Sequence, residues 1–223
     1  MKLYMHPAST TSRPVMLFAA EAKIDLEPVV VDLMTGEHHK EHYIKINPSR
    51  QVPVLEDGDF RLSESSAILK YLADKVNSPL YPKDLKQRAR VNERMDWFNT
   101  GLYRELGYNL VYPQVFMHHK RPSDDVHGGV LQWGKEKTAW WLNILDQDIL
   151  GSSPYVCGDQ MTIADLFGAA LVTCGELVKV NFTKYPNITR WIQRMKQLPN
   201  WGKVTQVHDG FVASLKDKAH VAP

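Results

Sequence analysis

The sequence changes character near residue 77, and this change limits the folds that the chain can adopt. Before it, strand-like and helix-like stretches alternate in the order β-α-β-α-β-β-α. After it, the chain has the apolar spacing of helices and no convincing strand. The break is NSPLYPKD, whose two prolines are typical of a linker. This order predicts a small α/β domain with one mixed sheet, followed by an all-α domain.

We place the α/β domain at residues 1–76, the linker at 77–85 and the helical domain at 86–223. KLYM and EPVVVDL are the first two strand candidates, and the β-branched run of the second predicts a buried strand. VPVLEDGDFRL predicts a hairpin, because two apolar runs flank an Asp-Gly turn signal. SESSAILKYLADKV predicts a helix with Ser63 as its N-cap.

Apolar periodicity predicts the elements of the helical domain. A long helix reaches Pro113, and TIADLFGAALVTCGELV and PNITRWIQRMKQL are further helices. Thr162 and Asp165 have the Ser/Thr-x-x-acid spacing of a capping box, so we interpret them as structural. VLQWGKEKTAWWLNILDQDIL predicts another helix, with these residues on one side: Leu131, Ala139, Leu142 and Leu145.

Composition excludes several function classes. The net charge is +2 and the basic residues are spread along the chain, so we expect no nucleic-acid partner. No apolar run approaches the roughly 20 residues that cross a bilayer, and the N-terminus leaves no room for a signal peptide. We therefore expect no membrane association. Cys157 and Cys174 lack CxxC spacing, which favours a reducing compartment and a cytoplasmic location.

The stretch HPASTTSRP carries four consecutive hydroxyl side chains, on Ser9, Thr10, Thr11 and Ser12. Ser9 lies between the first strand and the first helix, where α/β sheets usually bind ligands and helix N–H groups favour an anion. Its spacing from Ser12 is that of a CxxC pair with oxygen in place of sulfur. A serine there cannot form a disulfide but can donate a hydrogen bond to a thiolate. The alternative is that all four are turn and cap residues, with Thr11 or Ser12 as the N-cap.

Two residue pairs have both a binding and a structural interpretation. Val52-Pro53 is a candidate cis peptide that leaves the Val52 backbone N–H and C=O free to pair with an extended ligand. The alternative is an ordinary trans proline at an edge. Glu64 and Ser65 begin a helix, whose N–H groups can hold a carboxylate while Glu64 pairs with an ammonium. This suits an amino-acid head group, and helix capping is the alternative.

His38 and His42 lie four residues apart on a predicted helix face. The pattern lacks the HExxH order and no third ligand has a recognisable spacing, so we predict no metal site. His38 is instead a candidate polar group for a ligand carboxylate. A solvated helix face is the alternative.

Together, these motifs resemble the cytosolic glutathione transferases over essentially the whole chain. The resemblance rests on LYMHPAS followed by RP, GEHHKEHYIKINP, QVPVL, DGDF, ESSAILKYLADK, LYPKDLKQRARV and YVCGDQMTIADL. A serine before the first helix is similar to the theta and delta classes, including bacterial relatives, and the last segment is similar to glutathione-dependent bacterial dehalogenases. The resemblance implies an α/β thioredoxin-like N-terminal domain that binds glutathione and an all-α C-terminal domain that forms the wall for an electrophile.

The resemblance also implies roles for single residues. Ser9 stabilises the glutathione thiolate, whereas Thr11 and Ser12 begin the helix and Thr10 only fills the turn. His38 and Gln51 bind the glycine carboxylate. Gln51 stands where theta enzymes often carry lysine and Arg50 where delta enzymes often carry histidine, so Arg50 is the alternative group at the glycine end and would supply a positive charge there. The implied glutathione-binding residues are His38, Arg50, Gln51, Val52, Pro53, Glu64 and Ser65.

A stripe on the long helix is the candidate electrophile pocket. Arg104, Tyr108, Tyr112 and Phe116 recur every four residues and so share a face. Aromatic rings suit an apolar electrophile, and Arg104 can stabilise a leaving halide or an epoxide oxygen. Packing in the core or at an interface is the alternative.

The predicted function is conjugation of glutathione, as co-substrate, to small hydrophobic electrophiles such as alkyl halides and epoxides, in a homodimer that needs no metal. The alternative is a non-catalytic protein of the same fold that carries a ligand or serves as an assembly module. The intact set of Ser9, Val52-Pro53 and Glu64-Ser65 favours the enzyme.

Overall fold

The computed structural model describes all residues from Met1 to Pro223. Its first part contains a mixed sheet with the strand order β2-β1-β3-β4, in which β1 runs parallel to β2 and antiparallel to β3. The strands are β1 (Lys2–Met5), β2 (Glu27–Val30), β3 (Val54–Asp57) and β4 (Phe60–Leu62). The helices of this part are α1 (Ser12–Glu21), α2 (Glu41–Ile44) and α3 (Ser65–Lys75). The predicted thioredoxin-like arrangement is confirmed.

One detail of the predicted sheet is wrong. The valine run of β2 indicated a buried strand, but β2 lies at the edge of the sheet and Val30 is 56% exposed. An edge position also accounts for Pro28, since proline has no N–H to donate to a further strand.

The second part of the chain is helical, as predicted, and every strand lies before residue 63. Its α-helices are α4 (Leu85–Asp96), α5 (Tyr112–Val115), α6 (Asp124–Ile144), α7 (Ile163–Val172), α8 (Pro186–Lys196) and α9 (Trp201–Ser214). Wide π-helical turns cover Trp97–Leu102, Arg104–Val111 and Leu145–Leu150. Short 3₁₀ turns cover Glu37–His39, Met117–His119, Thr173–Val178 and Phe182–Lys184. No helix is both long enough and apolar enough to span a membrane.

The predicted long helix is therefore a composite. It begins as α4, continues through the first two π-helical segments and ends with α5, past Pro113. We call the part from Trp97 to Val115 the wall helix. A π-helical turn holds more residues than an α-turn, so the side-chain spacing along this wall differs from that of an α-helix.

Helix α6 crosses the wall helix at Gly134. A Cβ built on Gly134 would lie 2.5 Å from the backbone oxygen of Asn109. The buried positions of α6 are Gly134, Thr138 and Leu142, rather than the predicted Leu131 and Ala139. Of the four residues predicted to share one side, Leu142 and Leu145 are buried, whereas Leu131 and Ala139 are only half-buried, and the small Gly134 occupies the close crossing.

Replacing Gly134 with alanine is expected to lower the free energy of unfolding by about 1–3 kcal/mol, because the added methyl group overpacks the crossing. Gly129→Ala on the same helix is the matched control, since its Cβ would meet nothing within 4 Å. Alanine there should raise stability by about 0.5–1 kcal/mol through its helix propensity. Thermal or urea unfolding measures both, and equal shifts in the same direction would show that the crossing tolerates a methyl group.

The two parts of the chain share one hydrophobic core. A single cluster of 43 buried residues includes Leu3 at one end of the chain and Leu215 at the other. The fully buried Arg13 of α1 also donates to the Ala170 oxygen of α7 at 2.8 Å. The division into residues 1–76, 77–85 and 86–223 stays a prediction.

Candidate functional site

A cleft of about 1250 Å³ runs between the sheet part and the helical part. All of the predicted site residues line it, so the fold brings together positions from five separate stretches of sequence. They are Ser9, His38, Arg50, Gln51, Val52, Pro53, Glu64, Ser65, Arg104, Tyr108, Tyr112 and Phe116.

Ser9 begins the hydrogen bonding of α1. Its Oγ accepts from the Ser12 N–H at 3.2 Å, and its carbonyl oxygen accepts from the Arg13 N–H at 3.1 Å. Thr11 takes the N-cap position, as predicted, but its side chain makes no cap hydrogen bond, and the Ser12 hydroxyl is buried without a partner. Ser9 therefore places a half-buried hydroxyl in the cleft at the N-terminus of a helix, where negative charge is favoured.

Thr10 is more than turn filler, contrary to the prediction. Its side chain is buried, and its Oγ1 accepts a hydrogen bond from the Tyr112 hydroxyl at 3.0 Å. Tyr112 in turn shares a short hydrogen bond with the Tyr103 hydroxyl. Burial raises the pKa of both phenols well above the usual value, so they remain protonated donors. This chain of hydroxyls joins the start of α1 to the wall helix.

The loop before β3 contains the predicted candidate cis peptide, and Val52-Pro53 is cis. The Val52 N–H has no acceptor in the protein, but its carbonyl oxygen accepts from the Thr11 hydroxyl at 2.9 Å. Of the two groups expected to be free, only the N–H is unpaired. Two hydrogen bonds anchor this loop, since the Gln51 carbonyl accepts from the Tyr43 hydroxyl at 2.6 Å and the Asn47 amide at 2.8 Å.

The start of α3 combines strain with free N–H groups. Glu64 has a φ of +65°, which a non-glycine residue rarely adopts, and such conformations cluster at binding sites. Glu64 takes the N-cap position without a side-chain cap bond, so the prediction of Ser63 as N-cap is wrong. Glu64 is exposed and Ser65 is buried. A carboxylate therefore lies beside the positive end of a helix, an arrangement that can bind a group with both an ammonium and a carboxylate.

His38 and His42 do not form a pair. His42 bonds to Glu37 at 3.1 Å, whereas the His38 ring packs against His39 at 4.0 Å. Burial lowers the pKa of His38, and the neighbouring His39 and His118 lower it further. His38 is thus neutral at pH 7 and can offer a ligand a hydrogen bond but no charge.

One group of residues elsewhere has the proximity of metal ligands, namely Glu176, His208 and Asp209. Glu176 already accepts from the Lys196 ammonium at 2.7 Å, so the group forms an ion pair. It lies outside the cleft lining.

The wall helix presents a cluster of aromatic rings to the cleft. Tyr108 packs edge-on against Tyr103 at 5.5 Å and against Tyr112 at 5.2 Å, and Phe116 lies 5.6 Å from Tyr112. The residues that sequence reasoning missed are Tyr103, His119 and Phe211, all in the cleft lining. A spacing of four cannot reveal Tyr103, because the five-residue step to Tyr108 belongs to a π-helical turn.

Arg104 and Tyr108, both in the predicted stripe, differ in their charge environment. The Arg104 side chain is 65% exposed, and its Nε donates to the buried Glu105 carboxylate at 3.0 Å, so its charge is already paired at the cleft rim. Burial raises the pKa of Tyr108, and the nearby Glu64 carboxylate raises it further. Tyr108 and Glu64 both line the cleft.

Comparisons with known proteins agree with this architecture. Residues 1–74 match the model of the glutathione S-transferase N-terminal domain, and residues 134–199 match that of the C-terminal domain. A delta-class glutathione transferase of Nilaparvata lugens is 35% identical, with a TM-score of 0.83 over 96% of this chain and 98% of that one. Human glutathione-S-transferase T1-1 is 29% identical, with a TM-score of 0.82 over 98% of this chain and 92% of the human one.

A third similar structure contains bound glutathione. It is a glutathione transferase homologue from Drosophila mojavensis with bound glutathione, 30% identical, with a TM-score of 0.80 over 98% of this chain and 97% of that one. The chain belongs to the glutathione S-transferase family, and as an enzyme it is a glutathione transferase. The roles of the single site residues stay predictions.

Proposed function

We propose that the chain conjugates the glutathione thiolate to small hydrophobic electrophiles, such as alkyl halides and epoxides. The observation that carries the proposal is the Ser9 hydroxyl, which lies in the cleft at the N-terminus of α1 with its Oγ held by the Ser12 N–H. The unpaired N–H of Val52 lies in the same cleft lining. These groups offer hydrogen bonds to a sulfur anion and to the peptide that carries it.

The proposed binding mode places each part of glutathione against one element. The γ-glutamyl head lies at the start of α3, with its ammonium on Glu64 and its carboxylate on the free N–H groups near Ser65. The cysteinyl unit pairs with Val52. Arg50 is the charged group for the glycine carboxylate, because guanidinium is always protonated, whereas His38 is neutral at pH 7 and adds only a hydrogen bond.

The proposed reaction is a substitution by sulfur. The thiolate attacks the electrophilic carbon, a C–S bond forms, and the C–halogen bond breaks as the halide leaves with the electron pair. With an epoxide, a C–O bond breaks and the oxygen then takes a proton from solvent. Ser9 donates a hydrogen bond to the sulfur and forms no covalent bond. The aromatic rings of Tyr103, Tyr108 and Phe116 hold the apolar electrophile against the thiolate. This positioning raises the reaction rate, because the two reactants are already together.

The size of the thiolate effect follows from the pKa of the thiol. A thiol with a pKa of about 8.5 is roughly 3% ionised at pH 7, and one with a pKa of about 6.5 is about three quarters ionised. The thiolate population rises about 25-fold, although a less basic thiolate is also a weaker nucleophile.

We expect glutathione bound to the protein to titrate well below the pKa of free glutathione. The ultraviolet absorbance of the thiolate measures this directly as the pH is varied. In parallel, chloride or bromide release from simple alkyl halides tests turnover. If glutathione binds with the pKa of its thiol unshifted and no electrophile is consumed, the chain is a non-catalytic ligand-binding or assembly protein instead.

We also propose that the enzyme is a cytoplasmic homodimer. Two indoles on one face of α6, Trp133 and Trp140, are 54% and 53% exposed, as expected of a surface that a second copy covers. Light scattering should then give about twice the 25.5 kDa of one chain. The unpaired Cys157 and Cys174 support a reducing compartment.

A further inference from the structure

Two neighbouring hydroxyl groups at the start of α1 each have a choice of hydrogen-bond partner. The Thr11 Oγ1 lies 2.9 Å from the Val52 carbonyl oxygen and 3.2 Å from the Ser9 Oγ. The Ser9 Oγ accepts in addition from the Ser12 N–H at 3.2 Å. Each hydroxyl has only one proton, so the direction of one bond determines the direction of the next.

In the structure, this direction is set at Val52. A carbonyl oxygen can only accept, so the Thr11 proton points to Val52. The Thr11 oxygen is then the acceptor in its contact with Ser9, and the Ser9 proton points toward Thr11. Without a ligand, the hydroxyl proposed to stabilise the thiolate therefore donates to a protein group.

We propose that Thr11 is a positioning residue that couples recognition of the ligand's peptide group at Val52 to the hydroxyl of Ser9. In this proposal an amide N–H of the ligand displaces the Thr11 hydroxyl from the Val52 carbonyl, the Thr11 proton turns to the Ser9 Oγ, and the Ser9 proton turns to the ligand sulfur. No covalent bond changes, and each hydroxyl donates one hydrogen bond before and after. The inference rests on the proposed function, since it requires the thiolate to lie at Ser9.

Two features of the site favour this switch. In the ligand-bound arrangement the Ser9 oxygen accepts from both Thr11 and the Ser12 N–H, and hydrogen bonds in such chains strengthen one another, which makes Ser9 a better donor. Tyr112 donates to the neighbouring Thr10, and Tyr43 donates to Gln51 in the loop beside Val52, so the heavy atoms around Ser9 and Thr11 are anchored while the hydroxyl protons can turn.

The test compares two protein variants with two thiols. Thr11→Val removes the hydroxyl at nearly constant shape, and Thr11→Ser retains it. The thiols are glutathione and its analogue methylated on the cysteinyl nitrogen, which has no N–H for the Val52 carbonyl. With glutathione, Thr11→Val should lower kcat about 3- to 10-fold and raise the pKa of the bound thiol, with KM within about twofold, whereas Thr11→Ser should restore both. With the methylated analogue, Thr11→Val should cause no loss.

Other results would overturn the coupling or the function separately. An equal loss with both thiols would show that Thr11 acts only through packing. Ser9→Ala, measured in the same series, keeps the two ideas apart, since a bound thiol with the same pKa in Ser9→Ala as in wild type contradicts the proposed role of Ser9 itself. If Ser9→Ala raises the thiol pKa and Thr11→Val does not, only the coupling is wrong. If a thermal melt shows that Thr11→Val does not fold, Thr11→Ala replaces it in the same comparison.

Discussion

Replacing Ser9 with alanine is expected to lower kcat/KM for conjugation at pH 7 by about 10- to 100-fold, since one hydrogen-bond donor to a developing anion is lost. The pH profile should change in a defined direction. A thiol whose pKa is depressed in the complex reacts fully above that pKa, so the wild-type rate should level off near neutral pH. In Ser9→Ala the increase of rate with pH should move toward the pKa of a free thiol, about 8.5. Steady-state rates with an alkyl halide, measured across this pH range, give both results.

The matched control for this variant lies three residues away. Ser12→Ala also removes one hydroxyl from the start of α1, but that hydroxyl is buried and has no partner, and alanine keeps the N–H that Ser9 accepts. Its rate should stay within about twofold of wild type, as expected when no hydrogen bond is lost. If Ser9→Ala keeps the wild-type pH profile, other hydrogen-bond donors, such as the Val52 N–H, stabilise the thiolate.

Local patterns in the sequence were enough to predict most of the helices and strands. The Asp-Gly turn between β3 and β4, with a φ of +64° at Gly58, depends on adjacent residues only. The capping box of Thr162 and Asp165 depends on a spacing of three. The site residues were accessible through a resemblance that places short motifs in a fixed order, and the fold then brought all of them to one cleft.

Contacts between distant parts of the chain were not predictable in this way. The bond from Tyr112 to Thr10 joins residues 102 positions apart, and that from Thr11 to Val52 joins residues 41 positions apart. No local pattern marks either pair. The interpretation of Thr10 as turn filler therefore failed, although the same stretch correctly drew attention as a cluster of hydroxyls.

The wall helix shows a second limit, which is geometric. A stripe of every fourth residue assumes α-helical turns, and the π-helical turns over Arg104–Val111 violate that assumption. The prediction included Arg104, whose charge is paired with Glu105, and omitted Tyr103, which packs on Tyr108. The π-helical segment is also where α6 crosses most closely, since Gly134 meets the Asn109 backbone there.

Replacing Asp165 with alanine is expected to lower the free energy of unfolding by about 3–5 kcal/mol, the largest stability effect of any variant considered. The Asp165 carboxylate is buried and accepts from the backbone N–H groups of Val156 and Thr162 at 2.8 Å each, and from the Trp191 indole at 3.0 Å. Alanine leaves these buried donors unpaired and removes the cap of α7, all of whose residues are buried. Urea unfolding followed by tryptophan fluorescence measures the change.

The controls for Asp165 separate the loss of hydrogen bonds from a general effect of charge. Asp159→Ala removes an exposed carboxylate from the same loop and should change stability by less than about 0.5 kcal/mol. Asp165→Asn keeps the size of the side chain and one acceptor oxygen, so its free energy of unfolding should lie between those of wild type and Asp165→Ala. The cleft does not include Asp165, so the folded fraction of each variant should conjugate glutathione at the wild-type rate. If Asp165→Ala unfolds at the same urea concentration as Asp159→Ala, the helix start is held by packing of α7 rather than by its cap.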